Sequence, residues 1–99
     1  MTRQVVWSDV ARADLLDQIA YLASEGFDSA DRILDRIEQT ADALGDFATG
    51  HPGRVNGIYE KSVRALPYIL AYALTNDRTV TILRLIHTAR DWQEGEWPE

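Results

Sequence analysis

Ninety-nine residues, 45% hydrophobic and 26% charged, are enough for one ordered soluble domain with a modest core, read as a single unit over 1–99. The absence of cysteine excludes disulfides and thiolate metal sites, two histidines are too few for an all-protein zinc site, and no cofactor is expected. A net charge of −6 argues against broad nucleic-acid binding, and no apolar run suits a secretory leader or a membrane span, so a cytoplasmic protein is expected.

In chain order, Val5-Val6-Trp7 reads as a short first strand. Ser8 follows as an N-cap, with Asp9 and Asp14 early in the helix, where its dipole favours negative charge. From Asp9 to about Glu25 the spacing is helical, with Ala11, Leu15, Ile19 and Leu22 in one stripe and Leu16 and Ala23 beside it. Asp14, Asp17 and Tyr21 are expected to face away, and Gly26 to stop the helix. Asp28 is placed to cap a second helix, with Asp31 completing a capping box. Ala30, Ile33, Ile37, Ala41 and Leu44 make its buried stripe, charged residues from Asp31 to Asp42 its outer side, and Gly45 its end. So short a connection, around Gly26-Phe27, makes the two helices an antiparallel hairpin.

Glycines, a proline and an asparagine mark Phe47–Gly57 as a loop, and His51 within it is read as structural. Ile58–Ala65 reads as a strand with Glu60, Ser62 and Arg64 on one face and Tyr59, Lys61 and Val63 on the other. Leu66-Pro67 turns into YILAYAL, where Tyr68, Leu70, Tyr72 and Leu74 oppose Ile69, Ala71 and Ala73. Thr75–Arg78 turns again into TVTILRLIH, where Val80, Ile82, Arg84 and Ile86 oppose Thr81, Leu83, Leu85 and His87. The polar segment Gln93–Glu99 is expected to fray. The order strand, helix, helix, strand, strand, strand predicts an α+β fold, an antiparallel sheet packed on a helical hairpin. Both sheet faces are mostly apolar and the hairpin covers one, so the other is expected to be left for a partner.

Charge is unevenly spread. Residues 1–46 carry ten acids and four bases, residues 47–92 three acids and six bases, and residues 93–99 three glutamates. The basic half holds the only residues with evident chemistry: Glu60, Arg64, Arg84, His87, Arg90 and Asp91. Gathered in one place, such a set could cleave RNA, with a histidine or glutamate moving the ribose hydroxyl proton and arginines stabilising the phosphorane. Taken singly, each has a plainer reading. His87 suits a hydrogen-bonded strand end, and Arg84 either a pair with Glu60 or Asp91 or a ligand for an acidic partner. Arg90 and Asp91 can pair with neighbours, and Trp92 can close a core edge. Trp97, among the tail glutamates, has no structural role that the sequence suggests.

WSDVARADLLDQIAYLASEG, ADRILDRIE, HPGRV, VRALPYILAYAL and VTILRLIHTARDW, in that order from Val5 to Trp92, resemble the RelE/ParE family of type II toxins. The ParE branch is the nearer, through Arg64 and Pro67, the tyrosine-bearing strand with Tyr68 and Tyr72, and the ending Arg84, His87, Arg90, Asp91 and Trp92. The resemblance implies a toxin neutralised by a cognate ParD-like antitoxin from an adjacent gene, with DNA autoregulation through that antitoxin and no membrane partner. ParE-like members poison DNA gyrase by protein binding; RelE-like members cut mRNA on the ribosome. For a nuclease the implied catalytic residues are Glu60, Arg64, Arg84 and His87. For a binding toxin the implied contacts to target or antitoxin are Arg64, Tyr68, Tyr72, Arg84, His87, Arg90, Asp91 and Trp92. Thr88 stands where cleaving relatives carry a tyrosine, Lys61 is the only lysine, and the chain is acidic, so the binding toxin is favoured over the nuclease. A homologue without a cellular target, acting only inside the antitoxin complex, is the third reading.

Overall fold

The computed structural model describes residues 2–26, 30–48, 50–52 and 57–88. Strand β1 spans Gln4–Trp7, helix α1 Asp9–Ser24 and helix α2 Ala30–Asp46; strands β2 (His51–Pro52), β3 (Tyr59–Ser62), β4 (Tyr68–Asn76) and β5 (Thr79–His87) follow. The five strands form one sheet in the order β1-β5-β4-β3-β2, with the helices against one face. The α+β class and the helical hairpin on a sheet are as expected, with two additions. Strand β1 runs parallel to β5, so the sheet is mixed and not wholly antiparallel. The glycine-rich loop also contributes β2, a two-residue stub on β3.

Ser8 caps α1 as its position suggests, its Oγ accepting the Ala11 N–H at 3.1 Å. Gly26, at φ +74°, ends the helix in a backbone region that favours glycine. The capping residues foreseen for α2, Asp28 among them, lie outside the described residues. Gly45 does not end α2, which runs on to Asp46. The Gly45 carbonyl accepts the Arg3 N–H at 2.6 Å, and a Cβ there would stand 2.5 Å from the Arg3 carbonyl oxygen. Its glycine serves a close approach of β1, not a helix stop.

The core lies between hairpin and sheet. Ala11 of α1 and Ile37, Ala41 and Leu44 of α2 pack on Val63, Tyr68, Leu70, Tyr72, Val80, Ile82 and Leu85. Burying these side chains contributes roughly 1.5–3 kcal/mol for each large one. Strand β5 departs from the simple alternation. Ala71 pairs with Arg84 but Tyr72 with Ile82, which leaves Leu83 as an extra residue in a bulge. The bulge puts Leu85 into the core with Val80 and Ile82, while Leu83 and Ile86 turn to the outer face.

That outer face is not bare. Ile58, Ala71 and Ile86 form a second buried cluster with Leu83 against it. The large apolar side chains that stand open are elsewhere: Leu16 is 65% exposed on α1 and Phe47 74% exposed just beyond α2. Among the described residues no helix is long and apolar enough to cross a membrane.

Candidate functional site

Two strands of the sheet outlast their outer neighbours, and the two exposed edges are finished differently. On one side, β1 stops at Trp7, opposite Ile82, while β5 continues to His87. Chain from β1 into α1 closes the remaining edge. The Ser8 N–H donates to the Ile82 carbonyl at 2.9 Å and its hydroxyl to the Leu83 carbonyl at 3.2 Å. The Asp14 carboxylate then accepts the Leu85 N–H at 3.0 Å and the Arg84 guanidinium at 2.7 and 3.2 Å. The pair is partly buried, with 28% of the Arg84 side chain and 15% of the Asp14 side chain exposed. One carboxylate thus satisfies a strand edge and neutralises an arginine, a charge-assisted arrangement stronger than a neutral one.

The opposite side ends open. Strand β2 pairs only with Tyr59 and Glu60 of β3. Val63 donates to the Tyr68 carbonyl at 2.9 Å, so along β3 the backbone groups of Lys61 also point to β4, and those of Ser62 point outward. They face a groove of about 850 Å³ between β3 and the second half of α2. Arg36, Ala43 and Phe47 line its helix side; Lys61, Ser62 and Arg64 line its sheet side, and no described acid does. Arg36 donates to the Arg64 carbonyl at 3.3 Å, tying helix to turn, and Ala65 takes the tight corner at φ +64°.

The residues foreseen as a site separate into three places. Glu60, Ala71 and Arg84 fall in one row across β3, β4 and β5, on the outer face, with Glu60 6% exposed. Arg84 pairs with Asp14, not with Glu60 or Asp91 as its neighbours in sequence suggest. His87 lies opposite Tyr68, and their rings meet edge to face at 5.2 Å. Arg64 is exposed at the groove. Tyr68 and Tyr72, foreseen as contacts for a partner, are 3% and 1% exposed and fill the core. The Tyr68 hydroxyl donates to Gln18 Oε1 at 3.2 Å, and the Tyr72 hydroxyl accepts the Gly50 N–H at 3.0 Å. Burial pushes the Tyr72 phenol above its ordinary 10.0, partly offset by the Gly50 hydrogen bond. Arg90, Asp91 and Trp92 lie outside the described residues.

Asp14, Arg36 and Phe47 were not foreseen as site residues. For Asp14 a signal existed: Ala11, Asp14, Gln18 and Leu22 recur at helical spacing, and three of the four are buried. Assigning Asp14 outward for its charge ignored that stripe. Lys61 and Phe47 carry no such mark, because the groove exists only once α2 lies beside β3.

Set against known proteins, residues 5–92 match the family described as ParE toxin of type II toxin-antitoxin system, parDE. The chain is similar to Y4kP of Sinorhizobium fredii (strain NBRC 101917 / NGR234), a candidate toxin, at 36% identity over 81 residues, covering 80% of this chain and 82% of that protein. Its fold matches the chromosomal ParDE system from P. aeruginosa with a TM-score of 0.74 at 23% identity, covering 87% of this chain and 96% of that one. It also matches the RelBE2 toxin–antitoxin complex of Mycobacterium tuberculosis, with a TM-score of 0.62 at 26% identity over 88% of this chain and 99% of that one.

Proposed function

This chain belongs to the ParE toxin family of type II toxin–antitoxin systems, and from that premise we propose that it stalls replication by binding DNA gyrase and not by cutting RNA. The observation that carries the reading is the separation of the groups a nuclease would need together. Glu60 and Arg84 share the outer face, His87 packs against Tyr68, and Arg64 sits at the groove. General acid–base catalysis needs proton donor and acceptor within about 3 Å of the same reacting atoms. Arg84, the arginine central to any such set, has its charge engaged by Asp14. The net charge of −6 further opposes seating against ribosomal RNA.

On this reading the toxin is a single cytoplasmic domain acting by surface contact. Its partner is a ParD-like antitoxin from the adjacent gene, whose acidic segment meets the basic half of the chain, and through which the complex regulates its own promoter. Arg64 is the residue most available to a target, being exposed and unburdened by a structural ion pair among the described residues.

A plasmid supercoiling assay with purified gyrase tests the proposal. The full chain is expected to inhibit supercoiling or trap cleaved DNA, and Arg64→Ala to weaken that effect while remaining folded. Ribosome-dependent mRNA cuts with supercoiling intact would assign the chain to the RelE-like alternative. Expression without growth arrest would leave it a partner of the antitoxin alone.

A further inference from the structure

The groove beside β3 combines three features that together describe an occupant. It offers an unpaired backbone edge at Ser62, where the donor and acceptor face outward and no described residue meets them. It carries three cations, Arg36, Lys61 and Arg64, without a described acid among its lining residues. Its helix wall ends in Phe47, 74% exposed. An edge of this kind recruits an extended peptide by adding a strand, and its flanking side chains select the sequence. The matching chemistry is a short extended run with about three carboxylates and one large aromatic.

The chain itself contains one. Gln93–Glu99 reads QEGEWPE, with Glu94, Glu96 and Glu99 to meet three cations and Trp97 to cover Phe47. We propose that this acidic segment docks in the groove beside β3, adding a short strand at Ser62 and screening the basic surface of the free toxin. Geometry permits the return. The Thr88 N–H donates to the Pro67 carbonyl at 2.9 Å, so the chain leaves β5 beside the turn that carries Arg64. From Thr88 to Glu99 the backbone can reach roughly 36 Å at about 3.3 Å per residue, beyond the molecule's 30 Å width. The pairing at Ser62 is short and its ion pairs are at the surface, so each contact is weak. Tethering compensates, because a short flexible connection presents the segment at an effective concentration of about millimolar. Docking is independent of which cellular target the toxin has.

Amide hydrogen exchange of the full chain reads the docking directly at Ser62. The Ser62 N–H is expected to exchange about tenfold more slowly than in the variant Glu94→Lys/Glu96→Lys/Glu99→Lys. That protection should vanish at about 1 M salt, where surface ion pairs are screened. Lys61→Glu, which alters the groove and not the segment, should release Ser62 in the same way. The Leu85 N–H, held by Asp14, reports in each variant that the fold is intact. Equal Ser62 exchange in wild type and the triple variant overturns the proposal. So does protection that grows with protein concentration, which assigns the groove to a second copy. A Ser62 amide that slows only on adding a polyglutamate peptide assigns it to a separate acidic partner, and overturns it too. Supercoiling inhibition by the same samples is scored apart from these outcomes.

Discussion

The two edges of the sheet pose one problem and receive two answers. At β5, where β1 runs out, Ser8 and Asp14 take up the exposed backbone groups and the Arg84 charge. At β3, where β2 runs out, the Ser62 backbone faces a groove rimmed by Arg36, Lys61 and Arg64. The first edge is finished by side chains already needed to start α1, so it is part of the fold. The second is finished by nothing among the described residues, and its charge is of one sign. A protein spends its polar partners where an edge must stay shut; an edge left with cations is left for an acidic visitor.

The sharpest way to break that contrast is Asp14→Ala, which leaves the Leu85 N–H and the Arg84 guanidinium without their shared acceptor. Stability is expected to fall by about 2–4 kcal/mol, the range for stripping one member from a partly buried charged network. Urea unfolding measures it, and a loss comparable to that of an ordinary surface substitution would mean the edge is not closed by this carboxylate. Gly50→Ala attacks the other edge. A Cβ there would lie 2.6 Å from the Glu60 carbonyl oxygen and 2.6 Å from the Tyr72 hydroxyl. Relief requires the β2 stub to shift, at a cost of about 1–3 kcal/mol, and a thermal melt unchanged from wild type would show the approach to be looser than described.

A pH series sharpens the account of the Tyr72 anchor. The folded state favours the protonated phenol, because burial raises its pKa above the unfolded value. Its contribution is therefore complete below about pH 10 and lost as pH rises through the folded pKa. Urea midpoints compared at about pH 9 and about pH 11 should fall further for wild type than for Tyr72→Phe; parallel falls would remove Tyr72 from the cause. The smallest effect is expected from Phe47→Ala. A ring 74% exposed packs on little, so stability should change by no more than about 0.5 kcal/mol, and a larger loss by denaturant unfolding would show that the open edge is already structural.

Much of this was legible beforehand because the periodicities are clean. The Ala30-Ile33-Ile37-Ala41-Leu44 stripe and the Tyr68-Leu70-Tyr72 alternation both face the core as their spacing dictates. Sequence spacing failed where the backbone breaks its own period. The extra residue at Leu83 reversed the expected sides of Leu85 and Ile86, and no side-chain pattern announces a bulge. Charge misled at Asp14, since a carboxylate on a buried stripe looks like an error until Arg84 arrives from the far end of the chain. The aromatic candidates failed for another reason. Tyr68 and Tyr72 offer both an apolar ring and a polar tip, and here Gln18 and Gly50 satisfy the tips inside the fold. The groove was illegible in principle, because α2 and β3 meet only in three dimensions.

The parallel pairing of β1 with β5 has a temporal consequence. Gln4 aligns with Thr79 and Trp7 with Ile82, so the first strand made during synthesis is joined to the last. On the ribosome the N-terminal strand emerges long before its mate, and a nascent or prematurely ended chain lacks the seam that seats Ser8 and Asp14. Maturation of this toxin is therefore all but coincident with its release, which gives an antitoxin made alongside it a head start.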